Sequence, residues 1–370
     1  MTRASWWGRL DHFQPLLAGM LAVLGLMTVF SAHADWGRQV LWVILGAAAY
    51  VAAASFDYRR LRSLALGLYA GMILILLAVH LAGHTALGAR RWLSVAGFPL
   101  EPSELSKLLL VVVLAAYLSR TERLTWRAFG GALLLVAPPA GLILTQPDLG
   151  TTIVFLGVLF GMLFLAGASA WQLFSLVFAG GMALPLLPYL LHGYQRRRLE
   201  VFLDPNLDPL GAGYNLVQAR IAVGSGGLFG QGWLHGLQGQ LGFVPERATD
   251  FVFAIFAEEF GLLGSLVLLA LFGTLLVRLL RTAAVSRDRF GELLAGGVFV
   301  MILVQVVVNV GMNIGVLPIA GIPLPLISYG GSATIAMLAA LGLVQSVALR
   351  RRTVDEPVAE LGTITRRAQA

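Results

Sequence analysis

One carboxylate of the chain is placed where it could accept a proton from a substrate. Asp250 ends a long polar stretch and immediately precedes a strongly apolar segment, long enough to cross a bilayer. A carboxylate at the mouth of a membrane helix is energetically costly, so it usually has a function. Asp250 is therefore the first candidate for acid–base chemistry.

Cations lie close to this carboxylate along the sequence. If both termini are cytoplasmic, 17 of the 26 basic residues fall in inner segments, as the positive-inside rule expects. The other nine oppose that preference, and eight of them lie in the segments 83–107 and 192–250. They fit an anion-binding role, the alternative being contact with lipid headgroups. The nine residues are Arg38, Arg90, Arg91, Lys107, Arg196, Arg197, Arg198, Arg220 and Arg247.

Lys107 is the only lysine of the chain, since the other 25 basic residues are arginines. Glu104 precedes it by three positions, which places both on one helical face and predicts an ion pair. A compact ammonium differs from a planar guanidinium in how it binds anions. Lys107 is interpreted either as an ammonium needed for anion binding or as half of a structural ion pair that stabilises a short helix.

Three further carboxylates have structural explanations beside chemical ones. Asp148 lies in a tight turn, where capping of the next helix is the favoured role. Glu258 follows Asp250 by eight residues, an offset of about 80° around a helix, which predicts that both face one cavity. Glu259 is predicted to bond a neighbouring helix.

A glycine-rich stretch at 224–232 permits two interpretations. Its backbone N–H groups could approach a phosphate, or the glycines could simply allow a tight turn. It matches no nucleotide-binding loop, and no strand precedes it.

The composition indicates the class of protein that holds these residues in place. Hydrophobic residues make up 58% of the 370 residues and charged residues 12%, against about 25% charged in soluble domains. The chain is therefore a polytopic membrane protein. It has no cysteine, which excludes disulfides and cysteine-ligated metals. Its net charge of +7 reflects orientation and not nucleic-acid binding.

The predicted fold is all-α, with one ten-helix membrane domain over 1–352. A large extracytoplasmic loop at 192–250 joins helices 7 and 8, and 353–370 form a flexible cytoplasmic tail. The first apolar run is interpreted as a retained helix and not as a removed signal peptide. The predicted spans are 15–33, 37–55, 63–82, 103–119, 129–146, 150–168, 171–191, 250–280, 291–316 and 327–349.

Four sequence blocks resemble the SEDS family (shape, elongation, division and sporulation), whose members polymerise peptidoglycan. The blocks match in order and spacing, and together they span about residues 88–332. The block 244–250 is more similar to the elongation members than to the division members. The blocks are Gly88–Trp92 with Pro102–Lys107, then Gln146–Thr151, then Asp208–Tyr214 through Asp250, and finally Pro323–Ser332.

The resemblance implies a lipid II glycosyltransferase with a class B penicillin-binding protein as its transpeptidase partner. The catalytic aspartate of the family falls on Asp250, its cavity pair on Glu104 and Lys107, and its functional tryptophan on Trp92. Besides lipid II, the growing lipid-linked glycan is an expected partner, and nucleic acid is not.

The resulting hypothesis is general base catalysis by Asp250 on a sugar hydroxyl, at the outer face of the bacterial inner membrane. A lipid II flippase and a non-catalytic scaffold of the cell-wall machinery are the alternatives. Mg²⁺ or Mn²⁺ is a candidate cofactor with unknown ligands, and no organic cofactor is expected. The residues predicted to bind substrate are Trp92, Arg91, Glu104, Lys107, Arg198, Glu246 and Arg247.

Overall fold

The structure is a computed structural model that describes residues 11–351, except Gly83, 87–88, 96–97 and 184–192. The side chains of 82–99, 183 and 194 are also outside the description. The predicted tail at 353–370 and the end of the span predicted at 171–191 therefore lie outside the described residues.

Helices dominate the described residues. In chain order they are α1 (Phe13–Ser31), α2 (Trp36–Ser55), α3 (Arg59–Ala82), α4 (Pro102–Leu118), α5 (Trp126–Thr145), α6 (Leu149–Leu165), α7 (Ala170–Ala183), α8 (Gly193–Leu203), α9 (Ala212–Ser225), α10 (Leu237–Gln240), α11 (Val252–Ala284), α12 (Arg289–Asn313) and α13 (Gly331–Leu349).

Every predicted span overlaps one of these helices, and the bounds that the structure describes differ from the predicted ones by a few residues. Seven helices in the described part of the chain are long and apolar enough to cross a membrane: α1, α2, α3, α5, α11, α12 and α13. The apolar helices α6 and α7 are shorter, and α4 has 17 residues. The fold is thus that of a polytopic membrane protein, and the number of ten crossings stays a prediction.

The interior of the bundle is formed by α12 and α13, whose residues are mostly buried. Glycines allow α2 to approach α13 closely. A Cβ added at Gly342 would lie 2.9 Å from the Cβ of Ala53, and one at Gly46 would lie 2.5 Å from Leu338 Cδ1. Close approach of this kind is how membrane helices gain packing energy, since lipid supplies no hydrophobic drive between them.

The segment between α3 and α4 forms a small antiparallel sheet that the sequence analysis did not predict. Strands β1 (His84–Ala86), β2 (Ala89–Val95) and β3 (Phe98–Leu100) lie in the order β1-β2-β3. Strands this short carry little periodic signal, because their stability comes from pairing with a neighbour. The helical prediction therefore holds for the bundle, and this segment adds strands to it.

The long loop between α7 and α11 is largely folded. It contains α8, a 3₁₀ turn at Pro205–Leu207, α9 and α10. Helix α9 is the longest element that the structure describes in this loop. It packs against the start of α11 around Leu216, Ala219, Phe251 and Ile255, all fully or almost fully buried. The loop is thus a cap on one end of the bundle.

Helix α11 is interrupted at Gly261, which has φ +67° and ψ −166°. The glycine-rich stretch fills this break. Its Gln231 and Gly232 N–H groups donate to the carbonyls of Glu258 and Glu259 at 2.9 and 3.0 Å. In return, Leu262 N and Leu263 N donate to the carbonyls of 227 and 228 at 2.9 and 3.1 Å.

This pairing decides between the two interpretations of the stretch at 224–232. The N–H groups of 227, 230, 231 and 232 all donate to backbone carbonyls, so they do not form a phosphate cradle. The glycines serve close packing and tight turns, because backbone of the broken helix occupies the space where side chains would lie.

Candidate functional site

The main chain of Asp250 is held by two buried asparagines of α12. Asn309 Nδ2 and Asn313 Nδ2 donate to the Asp250 carbonyl oxygen at 3.0 and 3.1 Å. Asn309 also donates to Ile322 O at 2.7 Å, and Asn313 Oδ1 accepts from Ala254 N at 3.0 Å. Both asparagines have 0% exposure. They therefore join α12, the first turn of α11 and the segment before α13 at the aspartate.

The two residues before Asp250 are held from the other side. Ser328 Oγ donates to Thr249 O at 2.6 Å and accepts from Leu324 N at 2.8 Å. Tyr329 N donates to Ala248 O at 2.8 Å. Three consecutive carbonyls are thus fixed by neutral donors, so the main chain that carries the Asp250 side chain is held in place.

The carboxylate of Asp250 shares its surroundings with Arg198 of α8. Both approach Gly321, whose φ is +70°: a Cβ there would lie 3.0 Å from Arg198 Nη1 and 3.3 Å from Asp250 Oδ2. Arg198 Nη1 also donates to Ile319 O at 3.4 Å. An acid–base group and a cation therefore meet over a residue without a side chain. Such an arrangement suits proton removal beside an anionic leaving group.

Arg247 connects this loop to the rest of the cap. Its Nε donates to Ala32 O at 2.8 Å and its Nη1 donates to Gly239 O at 2.5 Å. These contacts tie the residues before Asp250 to the end of α1 and to α10. The structure therefore gives Arg247 an anchoring role, and its contact with substrate stays a prediction.

Glu246 forms the turn that leads into Asp250. Its backbone has φ +50°, and its carbonyl accepts from Thr249 N and Phe251 N at 3.1 and 3.2 Å. Its Oε2 accepts from Thr249 Oγ1 at 3.2 Å, and the side chain is exposed. Its predicted role in substrate binding is untested.

The predicted ion pair at the start of α4 is present. Lys107 Nζ lies 2.6 Å from Glu104 Oε1, with side chains 2% and 8% exposed. Glu101 N, just before this helix, donates to Ser332 Oγ at 2.9 Å, which joins the start of α4 to the start of α13. The prediction of pairing is confirmed, and burial makes the pair different from an ordinary surface salt bridge.

Two predicted substrate residues cannot be placed by their side chains. Arg91 and Trp92 belong to β2, but their side chains lie outside the described part of the structure. Their roles therefore stay predictions.

The prediction that Glu258 faces the same cavity as Asp250 is wrong. Its Oε1 and Oε2 accept from Gln238 N and Gly239 N at 2.7 and 3.0 Å, and its exposure is 0%. The 80° estimate assumed one continuous helix, but Asp250 and the residue after it lie in a turn before α11. Glu258 instead caps α10.

The structural interpretations of two other carboxylates are confirmed. Glu259 Oε1 accepts from Ser31 Oγ of α1 and from Leu234 N, the latter at 3.0 Å. Asp148 caps α6 by accepting from Thr151 N at 3.0 Å.

Asn309, Asn313 and Gly321 were missed as site residues. The two asparagines are polar groups four residues apart within an apolar helix, a pattern that by itself indicates one buried polar face. Gly321 carries no comparable signal, since its role depends on which side chains approach it.

A metal would find few protein ligands in the part of the chain that the structure describes, where no three His, Asp or Glu side chains gather in a group. Mg²⁺ commonly binds one or two carboxylates together with substrate phosphates. Asp250 fits that limited role.

Fold and site together define an integral membrane protein with a carboxylate and a guanidinium close together at one end of a helical bundle. The FTSW_RODA_SPOVE family, described as cell cycle proteins, matches residues 15–353. The peptidoglycan glycosyltransferase MrdB of Escherichia coli K12 is 41% identical, over 96% of this chain and 98% of MrdB. The probable peptidoglycan glycosyltransferase FtsW of Thioalkalivibrio sulfidiphilus is 40% identical, over 95% and 92%.

A solved structure has the same fold. One chain of a peptidoglycan synthase complex that coordinates polymerization and crosslinking superimposes with a TM-score of 0.82 at 35% identity, covering 93% of this chain and 99% of that chain. The protein belongs to the FtsW/RodA/SpoVE family. It is therefore an enzyme of the bacterial inner membrane, and the resemblance to the SEDS family is confirmed.

Proposed function

We propose that Asp250 is the general base with which this peptidoglycan glycosyltransferase polymerises lipid II into glycan strands during cell elongation and shape maintenance. The observation that carries the proposal is the meeting of the Asp250 carboxylate and the Arg198 guanidinium over Gly321. The anchored carbonyls of 248–250 support it, because a base must be held in position to act on a hydroxyl.

The chemistry needs one proton transfer and one displacement. Asp250 takes the proton of the acceptor's sugar hydroxyl, and the hydroxyl oxygen forms a bond to the anomeric carbon of the donor. The bond between that carbon and the lipid pyrophosphate breaks, and the pyrophosphate leaves with the electron pair. Attack opposite the leaving group inverts the anomeric carbon. General base catalysis of this kind contributes about 10²–10⁴-fold.

Arg198 is the cation best placed for the leaving group. Negative charge grows on the pyrophosphate as the bond breaks, and preorganised cations stabilise that charge most effectively. Further candidates are Arg91, Arg247 and Lys107, and Glu104 orients Lys107. Trp92 and Glu246 complete the predicted substrate contacts. Mg²⁺ or Mn²⁺ would bind the pyrophosphate beside Asp250.

The proposed topology has ten membrane crossings with both termini in the cytoplasm and the 192–250 loop outside. The distribution of arginines supports it. The donor and acceptor lipids would then reach Asp250 from the outer leaflet, where α8–α10 cover the bundle.

The proposed partner is a class B penicillin-binding protein that crosslinks the new strands. The likeness to a chain of a synthase complex supports this partner. The elongation role rests on the block at 244–250, because identities of 41% to MrdB and 40% to an FtsW differ too little to separate the two roles.

The test is polymerisation of lipid II by the purified protein in detergent, where no leaflets exist and transport cannot produce a signal. Wild type should make polymer, and Asp250→Ala and the isosteric Asp250→Asn should lower the rate by about 10²–10⁴-fold with unchanged melting temperature. Glu122→Gln, which neutralises an exposed carboxylate between α4 and α5, is the matched control.

Two results would contradict the proposal. Full activity of Asp250→Asn would remove its role as base. Absence of polymer from folded wild-type protein, alone and with its partner, would favour the flippase or the scaffold.

A further inference from the structure

Helix α2 has few buried residues, and one of them is polar. The buried residues are Gln39, Gly46 and Ala54, which recur at intervals of seven and eight and therefore share one face. This face packs against α13, where a Cβ at Gly46 would meet Leu338. Gln39 is 1% exposed. A buried amide is costly unless it is hydrogen-bonded, so the partners of Gln39 indicate what it stabilises.

The amide of Gln39 bonds the segment 328–334, which leads into α13. Its Oε1 accepts from Gly330 N at 3.1 Å. Its Nε2 donates to Thr334 Oγ1 at 3.1 Å and to Ser328 O at 3.5 Å. Gly330 is the N-cap residue of α13 and has no side chain with which to cap it. Gln39 therefore bonds both the start of α13 and the residues just before it.

The segment 328–334 also holds the loop that carries Asp250. Ser328 Oγ and Tyr329 N donate to the two carbonyls that precede Asp250, at 2.6 and 2.8 Å. Gln39 bonds the main chain of Ser328 and Gly330, which flank Tyr329. The position of both donors therefore depends on the amide of Gln39, and two hydrogen-bonded steps connect α2 to the loop.

The same segment reaches the start of α4. Glu101 N, just before that helix, donates to Ser332 Oγ at 2.9 Å, and α4 carries the buried Lys107 in its second turn. Gln39 thus bonds a segment that contacts the main chain close to Asp250 and also the beginning of the helix that presents Lys107.

We propose that Gln39 is a positioning residue for polymerisation, because it sets the place of residues 328–334 and, through them, of Asp250. The proposal rests on the proposed role of Asp250 as the general base. A base acts only at the right distance and direction from the hydroxyl, and a displacement of about 1 Å can cost about 10²-fold in rate. Without the amide, the segment and the Asp250 loop lose their connection to α2 and can shift together.

The test is the polymerisation of lipid II in detergent by the purified full-length protein, and the variant is Gln39→Met. Methionine is close to glutamine in length and fills the same space, but it offers no donor and only a weak acceptor. The value of kcat should fall about ten- to a hundredfold, whereas KM should change by less than about threefold, because Gln39 acts on the base and not on substrate binding.

Gln14→Met is the matched control. Gln14 of α1 is also 1% exposed, and its amide also bonds the main chain of α13, since Nε2 donates to Leu341 O at 2.6 Å. Leu341 lies about 15 Å along α13 from its start. The control should lower the melting temperature, as Gln39→Met does, but keep the kcat of wild type. A merely structural role of Gln39 would lower the melting temperature in both variants and kcat in neither.

A double variant tests the route from Gln39 to Asp250. Ser328→Ala removes the bond to Thr249 O and should lower kcat by itself. If Gln39 acts through the segment 328–334, Gln39→Met/Ser328→Ala should lose less than the product of the two single losses, because both changes weaken one connection. Thr334→Val removes only the Oγ1 partner of Gln39 and serves if Gln39→Met does not fold. It should lower kcat by a smaller factor.

Three results would overturn the proposal. These are wild-type kcat in folded Gln39→Met, or in Thr334→Val where that variant replaces it, an equal fall of kcat in Gln14→Met, and fully multiplicative losses in the double variant. Each is judged beside an active wild type and an inactive Asp250→Asn, so each leaves the role of Asp250 intact. Full activity of Asp250→Asn would instead contradict the proposed function itself.

Discussion

The two ends of α12 place charged groups in opposite ways. At the Asp250 end, neutral amides and hydroxyls hold the main chain, and the carboxylate and Arg198 are left to face the site. At the Arg59 end, the carboxylate of Asp288 holds the fold, because it accepts from Tyr58 Oη and Gly291 N and pairs with Arg59. The first arrangement leaves a carboxylate facing the site, whereas the second uses its carboxylate for structure.

The difference indicates what each end can do. A general base must keep its distance and direction through a reaction, so its support is buried and made of hydrogen bonds with no net charge. A carboxylate that caps a helix and accepts from a tyrosine stabilises the fold instead. Substitutions at the support of Asp250 should therefore lower activity, and substitutions around Asp288 should lower stability.

The largest expected effect beyond Asp250 itself concerns the buried pair at the start of α4. Lys107→Met leaves the Glu104 carboxylate buried without its cation and should lower the free energy of unfolding by about 3–5 kcal/mol. Thermal melting in detergent measures this. The double variant Glu104→Gln/Lys107→Met should regain most of the stability without regaining polymerisation.

The comparison at the Arg59 end of α12 is Arg59→Gln. This substitution breaks the ion pair between Arg59 and Asp288, whose side chains are 42% and 37% exposed, respectively. It should lower the free energy of unfolding by less than about 1 kcal/mol. Equal losses for Lys107→Met and Arg59→Gln would show that burial does not distinguish the two ends.

An intermediate effect is expected at the neutral anchors. Asn309→Leu removes the donor to the carbonyls of Asp250 and Ile322 at nearly constant volume. A lost buried hydrogen bond is worth about 1–3 kcal/mol, so kcat should fall roughly tenfold while KM changes little. Single-turnover polymerisation of lipid II measures it.

Gln305→Leu provides the control for this change. Gln305 lies one turn earlier on α12 and is 2% exposed. Among the described residues its amide donates only within its own helix, to Met301 O at 3.3 Å. If both substitutions lower kcat equally, the effect comes from α12 packing and not from support of Asp250.

The smallest effect is expected at Tyr58. Tyr58→Phe removes one donor to Asp288, while the cap to Gly291 remains, so stability should fall by about 1 kcal/mol with polymerisation unchanged. Tyr69→Phe, whose hydroxyl has no hydrogen bond to the described residues, should change neither. Lost polymerisation in Tyr58→Phe would show that the two ends of α12 are coupled.

Local features of the site were predictable from sequence. The pairing of Glu104 and Lys107 follows from their spacing on one helix, and Asp148 as a cap follows from its position before an apolar run. The position of Asp250 at a helix entrance was equally evident. Each of these predictions depends only on residue types within one or two helical turns along the sequence.

Predictions that crossed a break in local structure were wrong or absent. Glu258 was assigned to the Asp250 cavity by helical phase, but the turn at 250–251 separates the two phases. The break at Gly261, filled by backbone from 227–232, and the sheet at 84–100 had no periodic signal.

The sequence by itself determined the membrane class, the apolar segments that became helices, and the carboxylate with the strongest reason for chemistry. Hydropathy and spacing carry that information, because they depend on residues close together in the chain. Only the tertiary structure decided that Arg198 meets Asp250 over Gly321, and that Asn309 and Asn313 hold the aspartate. These contacts join segments far apart in sequence, and packing, which no local pattern encodes, brings them together.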